Sequence, residues 1–311
     1  MQDPAADALD PPLRPAAPTT AAVGLFVAMR PRQWVKNLLV VVAPAAAGQL
    51  FHAHVAARTL VAFVAFCLAS SGTYLLNDLR DVEADRLHPG KRARPIAQGI
   101  VGVELAAWAS GVLLVAGVAV GMALTWKLGV VVLLYVVESV GYSLGGKRLA
   151  VLELGFVAAG FVLRAIAGGV ATGLPLSSWF LVVISFGALF VVVGKRLAEF
   201  HEMGPERGSH RAVLDAYTEP FLRGALVLCA AVTVTGYCLW AFTIDRNGLA
   251  VHHVQLWIQL SAVPVVLAVL YVLLQLDAGR GGAPEDLVLR DRVVQALGIV
   301  WVVLVFVGVY A

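Results

Sequence analysis

Ser70-Ser71-Gly72-Thr73-Tyr74-Leu75-Leu76-Asn77-Asp78-Leu79-Arg80-Asp81-Val82-Glu83-Ala84-Asp85 carries an apolar run directly into an acidic one. Residues 59–77 have about the length and apolar character that a membrane-spanning helix requires. Beyond them the polar residues recur at helical spacing. At about 100° per residue, Asn77, Asp81, Asp85 and Asp78 fall near 0°, 40°, 80° and 100°, whereas Glu83 lands near 240°. Three carboxylates on one face repel one another, and an ionised side chain costs about 2.5–3.5 kcal/mol near the centre of a membrane helix. Such a face calls for positive charge.

The rest of the chain has the same character. Of its 311 residues 60% are hydrophobic and 14% charged, against roughly a quarter charged in soluble domains. Apolar runs near 35–51, 59–77, 101–125, 128–145, 150–172, 178–194, 221–243, 254–276 and 293–311 predict nine spans, hence an all-α integral membrane protein. Residues 1–28 read as a disordered tail and 29–311 as one transmembrane domain. Numbering the spans in order puts nineteen Lys and Arg on the N-terminal side of the membrane, including Arg14, Arg30, Arg32, Lys36 and the bases around Arg86, Lys147, Lys195 and Arg290. Only Arg58, Lys127 and Arg246 fall opposite. By the positive-inside rule the N-terminus is cytoplasmic and the C-terminus outside. The net charge of +3 does not point to nucleic acid, and Cys67, Cys229 and Cys238 lie in apolar runs as small hydrophobes.

Oxygen-only donors at Asn77, Asp78, Asp81 and Asp85 suit a hard divalent cation, magnesium above all, which takes one or two carboxylates and completes its shell with water and substrate phosphate. Directly downstream, His88-Pro89-Gly90-Lys91-Arg92-Ala93-Arg94-Pro95 places bases between two helix-stopping prolines. That loop can fold back over the carboxylates. Acids for a metal beside Lys91 and Arg94 for phosphate indicate a diphosphate site, while the same bases also serve as topology signals.

These residues resemble the first Asp-rich motif of the UbiA superfamily of intramembrane transferases, in which the motif holds magnesium on a diphosphate leaving group at the cytoplasmic end of a nine-helix bundle. Most UbiA-type prenyltransferases carry a second D-x-x-x-D motif after the fourth span. Here that region reads Tyr142-Ser143-Leu144-Gly145-Gly146-Lys147-Arg148-Leu149-Ala150-Val151-Leu152-Glu153, with one acid. The pattern is similar to the decaprenyl-phosphate phosphoribosyltransferase branch, with Gly146 in place of a Leu and Glu153 in place of an Asp. Leu163-Arg164-Ala165-Ile166 and Gly194-Lys195-Arg196-Leu197 resemble the same branch.

That resemblance implies metal ligation by Asn77, Asp78, Asp81 and Asp85, with Asp78, Asp81, Asp85 and Lys91 catalytic. It implies substrate contacts from Asn77, Arg94, Tyr142, Lys147, Glu153, Arg164, Lys195 and Arg196. Arg164, inside a span, is expected to pair with Glu153 or a bound phosphate; Lys195 and Arg196 either bind a sugar 5-phosphate or anchor their helix. The implied substrates are 5-phosphoribosyl diphosphate and a polyprenyl phosphate such as decaprenyl phosphate, on the route to a lipid-linked arabinose donor for the cell wall, and a homo-oligomer is compatible with the pattern. Two alternatives remain open. One is an ordinary UbiA-type prenyltransferase acting on an aromatic acceptor; the other is a transporter using Glu138, Glu153 and Arg164 as a coupling path.

Overall fold

The computed structural model describes residues 20–203, 212–243, 252–279 and 284–310. Arg14, Arg207, Arg211, Arg246 and Arg280, counted above for topology, lie outside them. Every regular element among the described residues is helical. Among the described residues eight helices are long and apolar enough to cross a membrane. These spans are α3 (Ala53–Arg80), α5 (Val103–Leu124), α6 (Trp126–Leu144), α7 (Leu152–Thr172), α8 (Ser178–Met203), α9 (Glu219–Thr243), α11 (Ala262–Asp277, continuing the shorter α10, His252–Leu260) and α13 (Arg292–Tyr310). They match eight of the nine expected spans. The protein is therefore a multi-pass α-helical membrane protein.

The first expected span differs in form. It is a 3-10 helix over Pro31–Val41 that passes into a short α2 (Val42–Ala46). At about 2.0 Å per residue for the first part and about 1.5 Å for the second, the segment still reaches roughly 30 Å, the thickness of a bilayer core. Three residues per turn line Trp34, Asn37 and Val40 along one edge. The Trp34 indole donates to Ser71 Oγ (3.0 Å) and the Asn37 amide to Cys67 Sγ and Ser70 Oγ (both 3.3 Å). Val40 lies so close to Gly168 of α7 that any Cβ there would strike its carbonyl, so α7 must carry glycine at the crossing.

Residues 1–19 lie outside the described residues. α1 (Ala21–Ala28) begins inside the stretch read as disordered, capped by Thr20 accepting from the Val23 amide (3.3 Å). Ala28 joins an apolar cluster with Leu75, Ile96, Val101 and Ala106, which is burial that its local composition does not announce. At the far end of the chain α13 returns to the first span, where the Tyr310 hydroxyl donates to the Ala45 carbonyl (3.2 Å) and Phe306 meets Phe51 edge-on.

Candidate active site

The acidic face forms where α3 ends. Asp81 caps α3 and starts α4 (Val82–Leu87) with φ −97° and ψ 8°. The break is shallow, since the Asp81 amide still donates to the Asn77 carbonyl and the Asp85 amide to that of Asp81. The arc therefore survives it. Asp78 and Asp85 are buried and Asp81 is half-exposed, while the Glu83 side chain is 78% exposed and pairs only with its neighbour Arg86.

The basic loop does fold back, and apolar side chains hold it there. Ile96, Ala97 and Val101 are buried, Ile96 and Val101 within the cluster that includes Ala28 and Leu75. This plug fixes Arg94, whose guanidinium donates to Asp85 Oδ2 (2.6 Å) and Asp78 Oδ1 (3.0 Å). Lys91 is exposed on the same loop. Arg30 supplies a second guanidinium, 2.6 Å from Asp78 Oδ1 and stacked over the Tyr74 ring. It stands in the left-handed region (φ 55°, ψ 59°) directly before Pro31, a conformation costly for a residue without glycine's freedom. Lys147, from the turn after α6, reaches Asp81 Oδ1 at 3.4 Å, and Ser143 donates a short hydrogen bond to Asn77 Oδ1.

Among the described residues no three His, Cys, Asp or Glu side chains form a metal-ligating group. The expected ligands share a face, but three cations now stand among them. The donor set nonetheless fits a hard divalent cation. It is all oxygen, it lies on one helix face, and it is matched by Arg30, Arg94 and Lys147, so the face holds more negative charge than it can carry alone.

In a second cluster Glu153 has a partner other than Arg164. Glu153 is fully buried and accepts both Nε (2.7 Å) and an Nη (2.8 Å) of Arg196, itself 3% exposed and also bonded to Glu199 (2.8 Å). Glu153 thus pairs with Arg196 and not with Arg164, and the Arg196 guanidinium is committed to carboxylates. Burying one carboxylate next to a planar fork of donors favours a bidentate pair over an exposed phosphate contact. Arg164 finds neutral acceptors instead: Asn37 Oδ1 (2.7 Å), the Gly160 carbonyl (2.6 Å) and the Tyr135 hydroxyl (3.0 Å). It ties the first span to α6 and α7 deep in the bundle. Tyr142 packs near Phe156 (6.4 Å between rings), and Lys195 is half-buried beside Arg196.

Sequence reasoning passed over Arg30 and Asn37, which charge counting and hydropathy had absorbed. Asn37 did carry a signal, being an amide within an otherwise apolar span. Tyr217, which touches Glu153, carried none.

The opposite half of the bundle contains an apolar chamber of about 690 Å³, bounded by Val42, Phe180, Tyr237, Trp301 and Phe306 among others. It lies between the first span and α13. The polar atoms at its edge satisfy one another, since Tyr237 bonds Ser261 (2.6 Å) and accepts from the Trp301 indole (2.8 Å).

Buried acids matched by guanidinium groups stand at one end of an apolar bundle, with an apolar chamber toward the other, so the molecule is a membrane-embedded protein with a charged site at one end. Comparison with known proteins agrees: the chain matches the UbiA prenyltransferase family over residues 37–288 and belongs to that family. It is 44% identical over 300 residues, 94% of each chain, to a protein of Mycolicibacterium smegmatis named decaprenyl-phosphate phosphoribosyltransferase. It is 40% identical over 301 residues, 94% of this chain and 89% of the other, to one of the same name from Corynebacterium glutamicum. Among solved structures, a UbiA homolog from Archaeoglobus fulgidus bound to GPP and Mg2+ superposes with a TM-score of 0.66, at 19% identity, covering 92% of this chain and 99% of that one. At that identity the likeness concerns the fold.

Proposed function

We propose that this protein transfers the 5-phosphoribosyl group of 5-phosphoribosyl diphosphate to a polyprenyl phosphate, decaprenyl phosphate above all, releasing diphosphate. The observation that carries this reading is the 44% identity, along nearly the whole chain, to relatives bearing the name of that activity. The geometry adds support against the prenyl-diphosphate alternative. Where a second pair of metal-binding acids would stand there is Glu153 alone, and Arg196 already holds it.

The acceptor is a phosphate anion, so its oxygen attacks the anomeric carbon of ribose without a protein nucleophile. The carbon–oxygen bond to diphosphate breaks, the electron pair leaves with diphosphate, and the configuration inverts. What the protein must supply is orientation and charge. Arg30 and Arg94, now turned on Asp78 and Asp85, are placed to meet diphosphate oxygens as negative charge arrives. Lys147 reaches the same region from the turn after α6, and Lys91, exposed on the loop that carries Arg94, would join it. Lys195, at the cytoplasmic end of α8, would meet the ribose 5-phosphate. Asn77, Asp78, Asp81 and Asp85 would hold magnesium, which when bound neutralises the leaving diphosphate. The apolar chamber would receive part of the polyprenyl tail from the bilayer. In this reading the site and N-terminus face the cytoplasm across the plasma membrane and the C-terminus lies outside.

The test is direct. Purified protein, magnesium, labelled phosphoribosyl diphosphate and a panel of lipid phosphates should move label into the organic phase, and excess chelator should stop the transfer reversibly. Turnover of a prenyl diphosphate with an aromatic acceptor, and none with phosphoribosyl diphosphate, would defeat the assignment.

A further inference from the structure

Val151 is one of only two non-glycine residues with positive φ among the described residues, at φ 67° and ψ −49°. For a β-branched side chain this is a strained conformation, and it persists only where surrounding contacts enforce it. The enforcing contact is visible. The Val151 amide donates to the Tyr217 hydroxyl at 2.8 Å, and that hydroxyl donates to Glu153 Oε1 at 3.4 Å, on the carboxylate that Arg196 grips.

Tyr217 is itself held from below. It follows the 3-10 turn Ala212–Ala216, whose Val213 and Leu214 are buried in one apolar cluster with Leu154 and Leu197, and its ring stacks on Phe221 (5.8 Å, 10°). Burial pushes the phenol above its usual range, with the Val151 amide opposing and the Glu153 charge adding to the shift. The hydroxyl therefore stays protonated and able to donate at neutral pH. The turn it latches packs against Ala212–Ala216 and carries Lys147, four residues before Val151, out to Asp81.

We infer that Tyr217 is a positioning residue: its hydroxyl holds the strained 145–151 turn in the one conformation that presents Lys147 to the acidic face and to the phosphate bound there. The inference rests on the reading of that face as a diphosphate site. The bonds of the Tyr217 hydroxyl go to Val151 and Glu153, away from the Asp78–Asp85 face and Lys147. Tyr217 acts by joining the segment before α9 to the turn before α7, so that a latch in one half of the bundle sets a cation in the other.

The experiment uses the full chain in detergent with inorganic diphosphate and magnesium, because diphosphate is common to phosphoribosyl and prenyl donors. Tyr217→Phe keeps the ring stack and removes only the hydroxyl. It should weaken diphosphate binding about three- to tenfold, as expected for one positioned hydrogen bond, and should speed hydrogen exchange across residues 145–154. Lys147→Ala should weaken binding at least as much, and the double variant should bind no more weakly than Lys147→Ala alone. Val151→Gly, which relieves the strain with the hydroxyl and the backbone amide in place, should keep or raise the thermal midpoint and keep diphosphate affinity within about twofold of wild type. Binding by Tyr217→Phe within twofold of wild type, full additivity with Lys147→Ala, or weakened binding without faster exchange would each overturn the inference. Wild-type protein that binds diphosphate but makes no lipid-linked phosphoribose would instead refute the proposed reaction and leave the latch standing.

Discussion

Replacing Arg196 by alanine tests whether the Glu153–Arg196 pair is a structural clamp or a substrate contact. Glu153 is fully buried, and its carboxylate also takes a longer 3.4 Å bond from Tyr217. Arg196→Ala therefore strands a buried charge that two short bonds, 2.7 and 2.8 Å, now compensate. Breaking such a pair from one side costs about 3–5 kcal/mol, a factor above a hundred in the folding equilibrium. Replacing both partners by apolar residues of similar volume, Glu153→Leu with Arg196→Met, removes the stranded charge and should return stability to within about 1 kcal/mol of wild type. The double-mutant cycle of wild type, Glu153→Leu, Arg196→Met and the double variant should then show a coupling of at least about 2 kcal/mol. Reversible unfolding of the four proteins in mixed micelles measures it. If Arg196→Ala unfolds within about 0.5 kcal/mol of wild type and only raises the phosphoribosyl diphosphate concentration needed for half-maximal rate, the guanidinium is a phosphate ligand and the clamp is wrong.

The acidic face makes a graded prediction. Asp78→Asn, Asp81→Asn and Asp85→Asn should each remove nearly all transfer activity, whereas Glu83→Ala, exposed on the far side, should keep most of it; equal sensitivity at Glu83 in a turnover assay would contradict the one-sided arrangement. Arg164→Leu leaves Asn37, Tyr135 and the Gly160 carbonyl without their shared donor, so it should cost about 2–4 kcal/mol in micelle unfolding. The dependence of its residual rate on donor concentration should be unchanged, and a rise in donor KM at full stability would return Arg164 to the phosphate site. A tag after Ala311 should be labelled by an impermeant reagent on intact cells and one before Met1 should not; labelling of both would mean an even number of crossings.

The apolar runs and the distribution of Lys and Arg determined the class of fold without reference to any contact. The bilayer imposes a length on each span and the positive-inside rule orders the loops, and both are properties of the chain read in one dimension. The arc of Asn77, Asp78, Asp81 and Asp85 was legible for a similar reason, because it depends on helical periodicity alone and the shallow break at Asp81 hardly disturbs it. The basic loop was legible from its two prolines. Partner choice was not. Glu153 and Arg164 share a face of α7 but stand eleven residues apart, about three turns or ~16 Å along its axis, so each bonds what packs at its own level: Arg196 from α8 for the carboxylate, Asn37 and Tyr135 for the guanidinium. The 3-10 form of the first span depends on the line of contacts that Trp34, Asn37 and Val40 make with α3 and α7, which no local propensity encodes. Arg30, a topology signal in the sequence, becomes a site residue only when α1 docks beside α3. Which residues are charged, and on which face, is local chemistry; which charges meet is decided by packing between helices far apart in the chain, where burial makes each unpaired group too costly to leave alone.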